Sequence, residues 1–170
     1  LGGCTSLTSI GDYAFRNCSG LTGELNLGGC TSLTSIGDRA FYGCSGLTSV
    51  TFPSSLTSIG SSAFRSCSGL TGELNLGGCA SLTSIGSYAF ERCSKLTSIS
   101  LPSSLTSIGS YAFSGCGALE SVVFPVGSTD WEVSTSSSMR NPISVDVTNP
   151  STNASNLTGQ YRTYYWKRNV

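Results

Sequence analysis

The sequence contains no histidine, a single methionine and only 11% charged residues, split evenly as 9 Lys+Arg against 9 Asp+Glu. Without histidine the chain lacks the commonest general base and a major metal ligand, and acid–base work falls to Asp, Glu, Cys and Tyr. A net charge of zero argues against a nucleic-acid or polyanion binder, which carries a basic excess or stripe. No run of about 18 apolar residues is present, so nothing reads as a membrane-spanning helix. The N-terminus shows no charged and apolar leader, and Leu1 falls in the middle of a unit that recurs further on. The sequence therefore reads as a C-terminal piece of something longer, with any secretion signal or further repeats upstream.

What is there is periodic. Of 170 residues, 52 are Ser or Thr, 21 are Gly and 8 are Cys, and 38% of the chain is hydrophobic, which is too apolar for a disordered linker. The string L-T-S-I-G-x-x-A-F occurs five times, at residues 7–15, 33–41, 56–64, 82–90 and 105–113, in steps of 26, 23, 26 and 23 residues. Each copy runs on through a Cys three residues after the Phe (Cys18, Cys44, Cys67, Cys93, Cys116) and an apolar residue three further (Leu21, Leu47, Leu70, Leu96, Leu119). Short links such as 47–56, LTSVTFPSSL, alternate with long ones such as 21–33, LTGELNLGGCTSL. Period-two alternation at Val50 and Phe52, Ile99 and Leu101, Leu25 and Leu27, or Leu74 and Leu76 predicts a short strand with one face buried. Leu56 and Ile59 before Gly60 predict a second extended stretch, and Ala63, Phe64, Cys67 and Leu70 stand at helical spacing over one or two turns. One unit thus reads as strand, turn, extended stretch and short helix. A unit of 23 residues buries too little to fold alone, so neighbouring coils must stack into a solenoid with a continuous core.

The period stops after Pro125. Residues 130–134 and 143–148 alternate apolar and polar and predict two short strands joined by a loop. Asn149 and Pro150 predict a helix start, with Ala154, Leu157, Tyr161, Tyr164 and Tyr165 at helical spacing and Gly159 interrupting them. The division expected is 1–125 for the array and 126–170 for a capping segment of two short strands and a helix. Trp131, Tyr161, Tyr164, Tyr165 and Trp166 read either as an aromatic platform for a sugar or cell-wall polymer, or as capping aromatics packed on the last coil. The need of a small cap for buried aromatic area favours the second. Asp130, Glu132 and Asp146 read as a solvated strand face before they read as a carboxylate site.

The five repeat cysteines are expected to form an inward ladder of small buried hydrophobes, because parallel side-chain vectors fit disulfide geometry poorly. Cys4, Cys30 and Cys79, in the Gly-Gly-Cys links, follow the same stacking logic. No C-x-x-C spacing occurs, and with no His a zinc or redox site is not expected. Three sequons are present, at Asn17, Asn153 and Asn156, in a Ser/Thr-rich chain where such tripeptides arise easily. Gly28-Gly29 and Gly77-Gly78 are not phosphate loops, since no Lys-Ser/Thr follows them.

Two candidate binding surfaces follow from the strand period. Side chains flanking the buried strand positions form a ladder of Glu24 and Asn26, Ser49 and Thr51, Glu73 and Asn75, Ser98 and Ser100, Ser121 and Val123. The position two residues after the repeat Gly holds Tyr13, Arg39, Ser62, Tyr88 and Tyr111. Tyr and Arg are enriched at interfaces, although drift at an unconstrained site gives the same variation.

The pattern Leu56-x-x-Ile59-Gly60-x-x-Ala63-Phe64-x-x-Cys67-x-x-Leu70, five times over and covering about residues 4–125, resembles the BspA-like, or Treponema-type, leucine-rich repeat family. The resemblance implies an α/β-type repeat, a right-handed leucine-rich-repeat solenoid of about five 23/26-residue coils, with a small C-terminal α+β cap. It further implies a non-catalytic secreted or cell-surface bacterial protein, such as a gut commensal carries, that adheres through a protein partner: host extracellular matrix, epithelium or another bacterial surface. The longer Gly-Gly-Cys coils depart from the usual 23-residue unit. A glycan or cell-wall-binding module using exposed Tyr and Asn, and a passive stalk of a larger secreted protein, are the alternatives. No nucleophile, base and orienting group stand together in the sequence, and neither enzyme activity nor a cofactor is expected.

Overall fold

The computed structural model describes residues 3–126, 131–134, 143–145, 147–160 and 162–168. Residues 3–126 form a β-solenoid of five coils, each carrying two strands. Coil one holds β1 (Ser9–Ile10) and β2 (Gly23–Asn26), coil two β3 (Ser35–Ile36) and β4 (Leu47–Thr51), and coil three β5 (Ser58–Ile59) and β6 (Thr71–Asn75). Coil four holds β7 (Ser84–Ile85) and β8 (Lys95–Ser100), and coil five β9 (Ser107–Ile108) and β10 (Ser121–Val123).

The L-T-S-I-G string explains the first ladder. Its Ser and Ile pair in parallel with their own equivalents in the next coil, Ser35 with Ser58 and Ile36 with Ile59, so β1, β3, β5, β7 and β9 stack in sequence order. The Thr hydroxyl reaches back to the carbonyl of the preceding Thr: Thr57 donates to Thr34 O at 2.7 Å, Thr83 to Thr57 O at 3.2 Å and Thr106 to Thr83 O at 3.0 Å. The Gly is required by close approach. A Cβ on Gly60 would lie 2.7 Å from the carbonyl carbon of Gly37, and one on Gly86 would lie 2.6 Å from the amide of Ser61.

The segment after this Gly departs from the short helix that its apolar spacing predicts. Residues 12–17 and their equivalents form consecutive turns, with two left-handed residues four apart in each coil: Tyr13 and Asn17, Arg39 and Gly43, Ser62 and Ser66, Tyr88 and Arg92, Tyr111 and Gly115. A left-handed residue costs a non-glycine side chain roughly 1–2 kcal/mol and breaks a right-handed helix. What offsets it is a ladder between coils. The amides of Tyr13, Phe15 and Asn17 donate to Asp38 O, Ala40 O and Tyr42 O of the next coil at 2.9, 2.7 and 2.6 Å. Alternate amides, those of Ala14, Arg16 and Cys18, close local turns onto Gly11 O, Tyr13 O and Phe15 O. Bonds to the neighbouring coil replace the i to i−4 bonds of a helix.

The core lies between these turns and the outer strands. Phe15, Phe41, Phe64, Phe90 and Phe113 stack face to face, with successive centroids 5.0, 5.1, 5.3 and 5.5 Å apart. Cys44, Cys67, Cys93 and Cys116 are buried and unbridged, as an inward ladder requires, whereas at the N-terminal end Cys18 is only half-buried and Cys4 is exposed, because among the described residues no earlier coil covers them. Each of these buried thiols also donates to the carbonyl of the Phe one coil earlier: Cys44 to Phe15 O at 3.0 Å, Cys67 to Phe41 O at 3.1 Å, Cys93 to Phe64 O and Cys116 to Phe90 O at 3.3 Å. A serine would donate too, but the thiol does so while remaining a small hydrophobe.

The outer strands form two sheets rather than one. β2 pairs with β4, and β6 with β8 and β10, but β4 and β6 lie side by side without a pairing ladder. This is the step from a short link to a long one. Both long-link strands carry a register shift, at Gly23/Glu24 and Gly72/Glu73.

The last coil is closed by non-repeating structure. β11 (Trp131–Ser134) pairs antiparallel with β12 (Ile143–Val145) and with β13 (Tyr165–Arg168), and β13 docks antiparallel on β9. α1 (Pro150–Ser155) begins with Asn149 as its cap, whose Oδ1 accepts from the amides of Ser151 and Thr152 at 3.1 Å each. A π-helical turn, Asn156–Gln160, follows. The helix therefore does not extend through Tyr164 and Tyr165 as their spacing predicts. The free edge of β9 takes this segment as a strand instead: Arg168 N donates to Thr106 O at 2.8 Å, and Tyr111 N to Arg162 O at 2.5 Å, where in earlier coils the next coil supplies the acceptor. Trp131 and Trp166 are buried against Phe124, so neither serves as an exposed sugar platform. Tyr161, Asp130 and Asp146 lie outside the described residues, and Glu132 is half-buried on β11.

Candidate interaction surface

Two outer walls of the solenoid carry the residues singled out from the sequence. On the strand wall, Glu24, Asn26, Ser49 and Thr51 form one exposed patch, and Glu73, Asn75, Ser98 and Ser100 form a second with half-buried serines. Each patch is tied up within itself. Thr51 Oγ1 donates to Glu24 Oε1 at 2.8 Å, and Ser100 Oγ donates to Glu73 Oε1. Asn26 Oδ1 and Asn75 Oδ1 accept from the amides of Gly28 and Gly77 at 3.0 and 2.9 Å, which ends each strand in a side-chain-closed turn. Between the patches, where β4 and β6 fail to pair, runs a groove of about 270 Å³ lined by Val50, Thr51, Phe52, Asn75, Gly78 and Cys79. The ladder is interrupted there.

The turn wall is continuous. Tyr13 and Arg39 are exposed, Tyr88 and Tyr111 are half-buried, and only Ser62 of this row is buried. All five take φ between 54° and 60°, a value that fixes the direction in which each side chain leaves the turn. The row joins a second one that the sequence reading missed, the residue after each repeat Phe: Arg16, Tyr42, Arg65, Glu91 and Ser114. Arg39 lies over the Tyr13 ring at 5.4 Å; Arg16 lies over Tyr13 at 5.8 Å and over Tyr42 at 5.5 Å. Arg65 lies over Tyr42 at 5.8 Å and over Tyr88 at 5.5 Å, and Tyr88 stacks on Tyr111 at 4.9 Å. Arg65 Nε is 2.7 Å from Glu91 Oε2, and Arg92 Nε is 3.8 Å from Glu91 Oε1. Variation at two positions three apart, rich in Tyr and Arg at both, was the available signal.

Comparison with known proteins agrees with this geometry. Residues 4–76 match the family described as BspA type Leucine rich repeat region (6 copies). The repeats of this segment are of the BspA leucine-rich type. The BspA-type chain is 35% identical to a leucine-rich repeat protein of Treponema pallidum, with a TM-score of 0.63 over 71% of this chain and 54% of that one. It is 35% identical to a leucine-rich cell surface protein of Faecalibacterium prausnitzii, TM-score 0.59, over 70% of this chain and 31% of that one. A leucine-rich repeat protein of Bacteroides ovatus is 31% identical, TM-score 0.53, over 69% and 34%. The chain thus spans 31–54% of the length of these three solved proteins. No curated protein matches it.

Repeats of this type suit protein–protein interaction. Burial pushes the Cys67 and Cys116 thiols up to about 12 and that of Cys79 to about 11, and raises Cys44 and Cys93, so these sulfurs stay protonated at neutral pH. Among the described residues, no group of three or more His, Cys, Asp or Glu side chains is placed to hold a metal ion, and no helix is long and apolar enough to cross a membrane. Asn153 and Asn156 are buried, and Asn153 Nδ2 donates to Val122 O and Val147 O at 3.0 and 2.8 Å. Neither sequon asparagine is accessible in the folded cap.

Proposed function

We propose that this chain is a non-catalytic protein-binding part of a secreted or cell-surface protein, and that its turn wall is the binding face. The observation that carries the reading is the chain of Tyr–Arg and Tyr–Tyr contacts that links all five coils, from Tyr13 through Arg16, Tyr42, Arg65 and Tyr88 to Tyr111, on a left-handed backbone. Such a row is ordered before any partner arrives, so docking loses little side-chain entropy, and it presents the residue types that dominate interface energetics. The broken strand wall, with its carboxylates and amides engaged internally, offers less. Residues 1–125 supply the face and 126–170 close its end. The description of the Faecalibacterium relative as a cell surface protein supports the location. Adhesion to host matrix, epithelium or other bacteria is the role that fits such a face.

Surface plasmon resonance of the purified chain over immobilised fibronectin, fibrinogen and epithelial glycans tests this reading. Saturable binding to a protein, reduced by Tyr13→Ala with Tyr88→Ala and retained by Glu24→Gln with Glu73→Gln, is expected. Binding to glycan alone, or protein binding lost only in the Glu pair, would contradict it.

A further inference from the structure

We propose that the first two coils form a receptor for a short acidic peptide segment, with Arg16 and Arg39 as paired cations flanking the Tyr13 ring. This rests on the protein-binding reading and names the partner's chemistry. Both guanidiniums lie within 6 Å of one ring centroid, and Arg39 Nη1 donates to the Tyr13 hydroxyl at 2.5 Å. Among the described residues neither arginine has an ion-pair partner. The acids on the same turns are committed elsewhere. Asp12 Oδ1 accepts from the amide of Asp38 at 2.8 Å, and Asp38 Oδ1 accepts from the amide of Ser61 at 2.7 Å. Asp12 and Asp38 keep their charge nearby but form no direct ion pair with either guanidinium, so a ligand carboxylate can still take the two cations that share this ring.

Coils three and four provide the internal contrast. There the turn wall also carries two arginines, Arg65 and Arg92, but Glu91 lies between them as a counter-charge, 2.7 Å from Arg65 and 3.8 Å from Arg92. A guanidinium has five N–H donors, so with one Arg39 nitrogen given to the Tyr13 hydroxyl the remaining donors of both arginines are left for a carboxylate. The half-buried Tyr42 ring beside Arg16 gives the next residue of the segment an apolar seat. A short acidic segment fits better than a long polyanion, because the chain as a whole is neutral and carries no extended basic stripe.

Fluorescence anisotropy with a labelled oligoglutamate octapeptide tests the proposal on the full chain, with the oligoglutamine octapeptide and a heparin oligosaccharide as comparators. Oligoglutamate binds, oligoglutamine does not, and affinity falls with added salt. Arg16→Gln with Arg39→Gln weakens binding about ten-fold or more, as expected for two exposed charge-assisted contacts. Glu91→Gln strengthens it several-fold by releasing Arg65 and Arg92, a gain that misfolding cannot imitate. No oligoglutamate binding at concentrations on the order of 1 mM, equal binding by the double variant, or preference for heparin would overturn the proposal. If fibronectin or fibrinogen still binds when oligoglutamate does not, the acidic-peptide site fails and the protein-binding reading stands. If no protein binds at all, both fail.

Discussion

The two outer walls of the solenoid come from the same 23- or 26-residue period and yet differ in what they can do. On the strand wall the outward side chains are small or already engaged, Glu24 with Thr51 and Glu73 with Ser100, and the sheet breaks between β4 and β6. On the turn wall the backbone ladder is unbroken from coil to coil and the outward residues are Tyr and Arg. A long link interrupts only the wall on which its extra residues fall. The turn segment has constant length in every coil, so its register, and any row of side chains on it, survives the alternation of 26 and 23.

The largest expected effect comes from removing what holds the turn wall in place. Phe64 is buried and stacked between Phe41 and Phe90, and Phe64→Ala should cost about 3–5 kcal/mol, read as a fall in the urea midpoint. A loss below about 1 kcal/mol would mean that the ring stack does not support the wall.

Next comes an alkaline instability. The Cys67 and Cys116 thiols hold their protons to about 12 and Cys79 to about 11, against an ordinary value of 9.0. The unfolded chain releases those protons from about pH 9 upward while the folded chain retains them, so stability is full below pH 9 and declines as pH rises toward 11–12. Urea midpoints at neutral pH and at about pH 10.5 should show that decline, and Cys67→Ala should flatten it. An identical pH slope in the variant would place the thiol outside the core.

A smaller effect belongs to the end of the strand wall. α1 packs on β10, with Asn153 reaching Val122 O, and Asn149→Ala removes its cap at a cost of about 1 kcal/mol. The smallest belongs to the strand wall itself, where Glu24→Gln should change stability by less than about 0.5 kcal/mol in thermal denaturation. Those last two reversed in size would make the Glu24–Thr51 contact more than a surface bond.

Most of this architecture is written in the repeat. Positions that face the neighbouring coil recur because each must fit a copy of itself: Thr57 on Thr34, Ile59 on Ile36, Phe64 on Phe41, Gly60 against Gly37. The helix inferred from Ala63, Phe64, Cys67 and Leu70 was the exception. Spacing within one coil cannot reveal that alternate amides leave it for the next, nor that Ser62 and Ser66 have positive φ. The same limit governs the cap, where β13 forms because β9 offers an edge, and its own Tyr164 and Tyr165 spacing points to a helix. At the candidate site, Tyr13, Arg39, Tyr88 and Tyr111 were legible as an outward row. Arg16, Tyr42 and Arg65 were not, because they join that row across coils, at contacts set by the stacking distance.

The central claim is that binding belongs to the turn wall, and comparing the two walls on one immobilised partner tests it most directly. Fibronectin or fibrinogen binding is measured by surface plasmon resonance for the unaltered chain, for Arg16→Gln with Arg39→Gln, and for Glu24→Gln with Glu73→Gln. The account predicts that the arginine pair weakens binding about ten-fold or more while the glutamate pair leaves it within about two-fold. The opposite order would move the binding face to the strand wall and contradict the account.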